Sequence, residues 1–340
     1  MGREIWMWIR EKTGAGASWV WQKIKWIFAR LWEWLRSLSG ATWRKVAILL
    51  PLVFVIYILV GMMVVYRIDD NLQFNSPAKS GESQFVTTMI GLIEREAKDN
   101  SWTPNDPVFL PGWWLDNTPN YQKGIIGALS RVSLELRDQI GRTRGSSAVD
   151  PDLNAAAGQL AIEPTRWYLD FSRSLWPTDP SDHFYRESAK SLRQYNKRLA
   201  AGEAVFERRS DNLLETLNRI ALDIGSSSAA LEKYIDEKSG GFAPDRGADN
   251  LFYEVRGQVY AYTLLLTSLR SDFADVIESK QLGNLFDELI ISMQTATSID
   301  PLFVINGKVG GMLPNHLSDQ GFYVQRARAQ MREVTNILLK

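Results

Sequence analysis

The sequence predicts a mainly α-helical protein in which one N-terminal transmembrane helix precedes a multi-helix bundle with at most one small β-hairpin. Two observations carry this prediction. Residues 46–66 contain no charge, and apolar residues recur at three- and four-residue steps through most of the chain after residue 82. The sequence therefore divides into a basic Trp-rich segment 1–45, a transmembrane helix 46–66, a linker 67–81 and a helical domain 82–340.

The apolar run VAILLPLVFVIYILVGMMVVY has the length of a bilayer span. Its 21 residues would extend about 30 Å as an α-helix, which is the thickness of a hydrocarbon core. Arg44 and Lys45 precede the run and Arg67 follows it, while the rings of Trp43 and Tyr66 stand at its ends, where interfacial aromatics are favoured. Because the run is long and begins late, it predicts an uncleaved anchor rather than a signal peptide.

The distribution of charge predicts the orientation. The chain has 39 basic and 39 acidic residues, but residues 1–45 hold nine basic and three acidic ones, and the remainder holds 30 and 36. Because short basic flanks stay in the cytoplasm, the N-terminus is expected inside the cell and residues 67–340 outside. A basic head with an acidic body does not fit a nucleic-acid binder. The absence of Cys and the presence of only two His exclude thiolate and His-rich metal sites.

Eight of the 13 tryptophans lie in the basic segment 1–45. Between Ser18 and Leu38 the apolar residues recur at helical spacing and most basic residues lie off their stripe, which predicts an amphipathic helix. Such a helix is expected to lie in the headgroup layer of the anionic inner leaflet, or to pack on sister copies or a partner's membrane domain. The residues expected at the membrane interface are Trp19, Trp21, Trp26, Trp32, Trp34, Trp43, Lys23, Lys25, Arg30, Arg36 and Tyr66.

Residues 82–340 predict one bundle of roughly six to eight helices. The longest predicted helix runs from about Asp182 to Ile224, where apolar residues recur every seven positions, and the GSSS sequence at 225–228 is expected to end it. A second dense helix is expected over about 251–280. The Asn306-Gly307 pair, within LFVINGKVGGMLP, is the hairpin signal.

No sequence motif indicates a catalytic, cofactor or metal site. Glu94 and Glu96 stand two residues apart on one predicted helix, so they are expected on a solvated face rather than as a carboxylate pair. The GRTRGSS sequence at 141–147 lacks the spacing of a phosphate loop. His183 and His316 are expected to be solvated. An envelope hydrolase stays open as an alternative, because glycoside hydrolysis needs only two carboxylates.

Residues 100–121 are expected to form an ordered apolar loop, with a helix resuming at about Tyr121. Four prolines at 104, 107, 111 and 119 prevent a regular helix, and the many aromatic residues argue against disorder. The rings are expected to pin the loop to the bundle, or alternatively to line a groove or contact the membrane surface. The candidate binding residues are Trp113, Trp114, Asp116, Asn117, Asn120 and Gln122.

One phrase in this loop supports a family resemblance. It has the form GW-x-LDN-x-PN-x-Q, it stands ahead of a predicted helix, and its residues are Gly112, Trp113, Leu115, Asp116, Asn117, Pro119, Asn120 and Gln122. Together with the N-terminal span, the phrase resembles a family of uncharacterised proteobacterial single-pass inner-membrane proteins, a domain of unknown function. The resemblance extends from the span onward. It implies a Gram-negative inner membrane with the bundle in the periplasm, and it implies no activity.

These observations favour a membrane-anchored envelope scaffold or accessory subunit that acts by binding and oligomeric assembly rather than by catalysis. The expected partners are the lipid bilayer, further copies of the chain and another envelope protein, without nucleic acid or cofactor. A periplasmic ligand-sensing ectodomain is the first alternative, and it would have to signal through a partner because 45 cytoplasmic residues leave no room for an output domain. A peptidoglycan or lipid hydrolase is the second.

Overall fold

The structure is a computed structural model. It describes residues 22–23, 25–26, 29–30, 33, 40–74, 76–142, 148–170, 174, 176–240 and 245–340. The chain divides into two compact units, Met1–Tyr57 and Ile58–Lys340. Within the described part the protein is helical and contains no strand, which confirms the predicted fold class.

Helix α1, Gly40–Val65, contains the predicted span. Its stretch Thr42–Val65 has a mean hydropathy of 2.9 and is almost entirely exposed. Among the described residues, this is the one helix that is long and apolar enough to cross a membrane. Pro51 lies inside the helix without ending it. The described residues between 22 and 33 are also helical.

Nine further helices lie in the described part of the second unit. Their starts are set by local capping: the side chains of Ser83, Asp150, Asp245 and Asn315 each accept a hydrogen bond from a backbone N–H of the first turn that follows. The helices are α2 (Gln84–Glu94), α3 (Asn117–Glu135), α4 (Pro151–Leu160), α5 (Ser181–Ala200), α6 (Ser210–Lys238), α7 (Arg246–Asp272), α8 (Ala274–Ser279), α9 (Gly283–Thr297) and α10 (His316–Leu338).

The predicted helix from Asp182 to Ile224 is wrong, because the chain turns between α5 and α6. Gly202 has a φ of +75°, its N–H donates to the carbonyl oxygen of Leu199, and the next N–H donates to that of Arg198. This pair of hydrogen bonds is a Schellman motif, which ends a helix at a left-handed glycine. Residues 201–209 therefore form a loop.

The expected break at 225–228 is also wrong, because α6 continues through GSSS to Lys238. Gly225 lies against the guanidinium of Arg328 on α10, where a Cβ atom would come within 2.7 Å of Arg328 Cζ. The Ser226 hydroxyl donates to the carbonyl oxygen of Leu222, and the Ser227 hydroxyl donates to Gln258 on α7. Tertiary packing and hydrogen bonding thus outweigh the weak helix propensity of these residues.

The hairpin predicted around Asn306-Gly307 is present only as one isolated β-bridge between Asn306 and Asn315. The turn between them contains Gly310, with a φ of +73°, and the predicted Asn306-Gly307 pair stands at the bridge instead of at the turn. The Asn315 side chain donates to the Asn306 side chain and to the carbonyl oxygen of Gly307. These side-chain bonds close the loop locally without a strand ladder.

Helix α7 is the centre of the bundle and is buried on nearly every side. It packs most extensively against α3, and the two backbones meet at glycines. A Cβ atom on Gly124 would lie 2.0 Å from the carbonyl oxygen of Glu254, and one on Gly257 would lie 2.1 Å from that of Tyr121. Only glycine permits this close crossing. Helices α2, α6, α9 and α10 complete the packing around α7, while α4 packs on α5.

Candidate functional site

The connector that follows α1, residues 66–82, runs along α7. The Asp70 carboxylate pairs with Arg256, ten residues into α7, and the carbonyl oxygen of Asn71 accepts a hydrogen bond from Tyr260 one turn further on. At the other end, Ser83 donates to Asp272, the last residue of the helix. The connector is therefore fixed to the central helix over most of that helix's length, so the end of α1 has a set position on the bundle.

A buried ion pair lies beneath the connector. Arg95 Nε is 2.7 Å from Glu96 Oε1, and the two side chains are only 8% and 1% exposed. The Arg95 guanidinium also donates to the Tyr260 hydroxyl at 2.7 Å, lies 3.4 Å from Asp69 Oδ2, and covers the ring of Phe74 at 5.1 Å. One arginine thus joins the connector, α7 and the turn after α2.

The electrostatics of this pair follow from its burial. Burial raises the pKa of Glu96, against the lowering effect of the adjacent Arg95. Burial alone would lower the pKa of Arg95, but Glu96 and Tyr260 outweigh it and raise that pKa. Each charge is tolerated in the interior because the other is present, and removing one partner of such a pair is strongly destabilising.

Arg256 makes the second attachment of the connector. Its side chain is 2% exposed, with one terminal nitrogen 2.5 Å from Asp70 Oδ2 and the other 2.6 Å from Asp300 Oδ1. Its Nε donates to the carbonyl oxygen of Thr297 at the end of α9. The loop that follows α9 also carries Leu302 and Phe303, both exposed. Arg256 therefore ties the connector and this loop to α7.

The structure divides the predicted binding loop into exposed rings and residues that fasten the loop. Trp113 and Trp114 lie in a 3₁₀ turn at Pro111–Trp114 and remain about half exposed. Asp116 caps the start of α3 and lies 3.4 Å from Arg246 Nε. Asn117, the first residue of α3, lies between the carboxylates of Asp116 and Asp249, and burial and the nearby Asp116 raise the pKa of Asp249 to about 6.

Asn120 and Gln122 are buried and hold the loop from inside. The Asn120 side chain donates to the carbonyl oxygen of Asp116. The Gln122 side chain accepts from the backbone N–H and hydroxyl of Thr103 and donates to the carbonyl oxygen of Ser101 and, at 3.4 Å, to Glu96. Gln122 therefore connects the loop to the buried ion pair.

The residues predicted at the membrane interface are only partly described. Trp26, Lys23, Lys25 and Arg30 lie on helical backbone and are exposed, with the Arg30 guanidinium 5.2 Å from the Trp26 ring. Trp43 is exposed on α1, and Tyr66 is exposed just after it. The remaining predicted residues, Trp19, Trp21, Trp32, Trp34 and Arg36, lie outside the described residues.

A cavity of about 210 Å³ lies between α3, α6 and α7. The buried Asp223 is among its lining residues and is held by the Gln258 amide, the Tyr262 hydroxyl and Arg131. Burial and the Asp223 charge raise the pKa of Tyr262 well above its usual value. Arg131, Lys123 and Glu254 line the rim, so the cavity has polar groups of both signs.

Several of these residues were missed or misjudged from sequence. Glu96 is fully buried, so its predicted solvated position is wrong. The chain forms a π-helical turn at Arg95–Asp99, which continues α2 and carries Glu96 among its buried residues beside Arg95. The adjacent Arg-Glu pair was the available signal, but it is common on exposed helices too. Nothing in the local sequence distinguishes the buried Arg256.

In the described part of the chain, no three His, Cys, Asp or Glu residues are grouped so as to hold a metal ion.

Fold and site define a class: a helical bundle fastened through a short connector to a helix that is apolar enough to span a membrane. The chain belongs to the bacterial family described as "Uncharacterized protein conserved in bacteria (DUF2333)", which matches residues 38–242 and 243–340. This confirms the predicted resemblance to a family of unknown function. No curated protein and no solved structure matches the chain.

Proposed function

We propose that the protein is a single-pass inner-membrane protein of a Gram-negative envelope, with its N-terminus in the cytoplasm and residues 67–340 in the periplasm. The apolar helix α1 supports the single span. The nine basic residues before it support the orientation. The basic Trp-rich segment 1–45 would lie in the anionic inner leaflet, with its Trp rings at the apolar boundary and its Lys and Arg side chains among the headgroups.

The proposed role is that of an envelope scaffold or accessory subunit that acts by binding and oligomeric assembly. The observation that carries this proposal is the attachment of the connector by two buried arginines: Arg95 contacts Asp69 and Phe74, and Arg256 pairs with Asp70. A tethered enzyme gains reach from a loose linker, whereas a subunit of an assembly needs a fixed position relative to the membrane. The fixed connector favours the second arrangement.

Native mass measurement of the full chain, extracted from its own membrane in mild detergent, tests this role. The proposal predicts a defined oligomer or a stable complex with another envelope protein. The double variant Asp69→Asn/Asp70→Asn removes the connector's two carboxylates but leaves Arg95 its partner Glu96 and Arg256 its partner Asp300. It should lower the recovery of that complex while the bundle stays folded and α1 still holds the chain in the membrane. A monodisperse single chain without any co-purifying protein would contradict the assembly role. Turnover of peptidoglycan or lipid that one carboxylate substitution abolishes would instead support the hydrolase alternative.

The cavity above Asp223 favours ligand sensing as a second candidate function. Its volume of about 210 Å³ is below that of a site for a drug-sized ligand, so only a very small molecule would fit, and its lining includes Lys123, Arg131 and Glu254. Sensing predicts a small molecule that co-purifies with the chain and is lost in the variant Arg131→Ala. The matched control is Arg219→Ala, because Arg219 also stands on the surface near Asp223 and pairs with Glu135. A chain that carries no molecule when purified from its own membrane would count against sensing.

A further inference from the structure

An exposed apolar surface on two neighbouring loops has no role in holding the bundle together. We call it the aromatic ridge. The first loop contributes residues before and within the 3₁₀ turn at Pro111–Trp114, and the second follows α4. The members are Val108, Phe109, Trp113, Trp114, Tyr168 and Leu169, exposed by 53%, 49%, 50%, 45%, 51% and 43%.

The rings of the ridge are held in place by one another. Trp113 and Trp114 meet edge to face with centroids 5.1 Å apart, and the Trp114 indole N–H donates to the carbonyl oxygen of Val108. Phe109 meets Trp167 edge to face at 5.7 Å, which joins the two loops. The surface is therefore preformed, and a binding partner need not supply the energy to order it.

The position of the ridge is set by contact with the end of α1. A Cβ atom on Gly61 would lie 2.2 Å from Cγ of Pro111, so the loop packs directly on the helix at a glycine. Gly61 precedes the last residue of α1, Val65, by four residues, which is about 6 Å along the helix axis. The ridge thus lies beside the last turn of the apolar helix instead of beyond it.

The charge around the ridge indicates what it can contact. Residues 100–122 contain two Asp and no Lys or Arg, and residues 161–180, which include the second loop, contain three acidic and two basic residues. Both loops therefore carry a net negative charge, which does not favour attraction to anionic headgroups. Trp and Tyr rings favour the boundary between hydrocarbon and headgroups, where the ring is in an apolar layer and the polar edge stays hydrated. The chemistry of the ridge therefore fits the interfacial layer of a bilayer whose lipids need not be charged.

We propose that the aromatic ridge inserts into the interfacial layer of the leaflet in which α1 ends, as a second membrane contact of the domain. This inference rests on the proposed anchoring by α1, with which the ridge is continuous through the contact between Gly61 and Pro111. The span and its attached connector set the position of the bundle at the membrane, and this second contact sets its tilt. Insertion places α7 with its Tyr253 end toward the lipid and its Asp272 end away from it.

Depth measurement with spin labels tests the proposal on the full chain in zwitterionic phosphatidylcholine vesicles. The chain has no Cys, so each single substitution gives one labelled site. Phe109→Cys and Trp114→Cys report on the ridge. Val205→Cys is the matched apolar control, because its loop lies at the Asp272 end of α7, where Arg208 is 3.9 Å from Asp272. Val55→Cys reports on the span itself.

The proposal predicts that labels at 109 and 114 collide more with oxygen, which concentrates in lipid, than with a water-soluble nickel chelate. The label at 205 should show the opposite preference. Raising the salt concentration should leave the signals at 109 and 114 unchanged, since the contact is not electrostatic. A native far-ultraviolet circular dichroism spectrum of each labelled chain serves as the folding control.

Three results would overturn the proposal, and they are distinguishable. If the label at 55 reads lipid while those at 109 and 114 read water, the span holds and the ridge contact is wrong. If the label at 55 also reads water, the anchoring itself fails. If 109 and 114 read water in vesicles but are shielded from the chelate in native membranes, the ridge contacts a protein instead of lipid.

Discussion

Helices α1 and α7 have almost the same length, 26 and 27 residues, and opposite surroundings. Helix α1 is the most apolar element described, yet its side chains are exposed. Helix α7 contains polar and charged residues, yet it is buried on nearly every side. The apolar composition of a whole helix therefore does not distinguish the buried helix of this protein from the exposed one. The most apolar helix, α1, is the one whose side chains must be covered by something other than the chain itself.

The polar residues of α7 are tolerated in the interior because each has a partner. Arg256 pairs with Asp70 and Asp300, Gln258 donates to Asp223, and Ser268 shares a hydrogen bond with Thr88. Buried polar groups that are satisfied in this way cost little and fix a unique arrangement. An unpartnered charge in α7 and one in α1 should consequently have different effects.

Placing one carboxylate in each helix should produce the largest effect. Val259→Asp puts an unpaired carboxylate at a fully buried position of α7, and this costs well over about 3 kcal/mol. We expect the domain to lose its resistance to limited proteolysis. Val55→Asp should leave that resistance intact and lower the fraction of chain inserted in the membrane, at a cost of about 3 kcal/mol. Equal loss of protease resistance in both variants would contradict the distinction.

Removing Arg95 should destabilise the bundle nearly as much. Arg95→Met leaves the fully buried Glu96 without its counter-charge, which costs about 3–5 kcal/mol. Chemical unfolding of the full chain in nanodiscs, followed by circular dichroism, measures this. Adding Glu96→Gln should restore part of the stability, whereas Arg209→Met, at an exposed ion pair, should have no measurable effect. The ion pair would be energetically unimportant if Arg95→Met matched that control.

Two glycines of α3 should respond oppositely to the same substitution. Gly124→Ala forces a methyl group into the backbone of α7 and should cost about 1–3 kcal/mol or more. Gly127→Ala, three residues later, meets nothing within 4 Å and should be neutral or stabilising by up to about 1 kcal/mol, because alanine favours the helix. Thermal unfolding of the two variants gives the comparison. Similar melting temperatures would show that α3 and α7 do not cross closely at Gly124.

The smallest effect should be a dependence on pH at Asp106. Burial, together with the nearby Asp182, raises the pKa of this carboxyl to about 6, although the Gly112 N–H bonds to it. Because the folded-state pKa exceeds the unfolded value, ionisation of Asp106 costs stability as the pH rises from about 4 to 6. Asp106→Asn should therefore stabilise the protein by about 1 kcal/mol at pH 8, after allowance for its partial exposure.

At pH 4 the same substitution should have almost no effect, since the carboxyl is then largely protonated in the folded protein. Unfolding curves of both chains at the two pH values measure the difference. A stabilisation of equal size at pH 4 and pH 8 would mean that the ionisation of Asp106 is not its cause.

The fold class and the apolar helix were predictable because they depend on periodicity and hydropathy, which are local properties. The division between α5 and α6 was not predicted, because the heptad spacing from Leu192 to Ile220 crosses the loop without interruption. Gly202 was the one local sign of the turn. The continuation of α6 through GSSS depends on Arg328, more than 100 positions away, and no local signal could reveal it.

The candidate site divides in the same way. The aromatic residues of the proline-rich loop marked it as a candidate binding segment from the sequence, but the sequence did not determine whether the rings pack on the bundle or stay exposed. The buried pair of Arg95 and Glu96, and Arg256 with its two Asp partners, involve residues up to 186 positions apart. Their burial is a tertiary property. Buried charges are rare enough that a sequence pattern favours solvent exposure for each of them.

Labelling with a membrane-impermeant maleimide tests the central claim most directly, and the Cys-free chain makes it specific. Single variants Lys23→Cys and Leu222→Cys place one exposed thiol before α1 and one on α6. In cells whose outer membrane alone is permeabilised, the thiol at 222 should react and the thiol at 23 should react only after detergent lysis. Equal reaction of both thiols before lysis, or reaction of 23 alone, would contradict a single span with the bundle outside the cytoplasm.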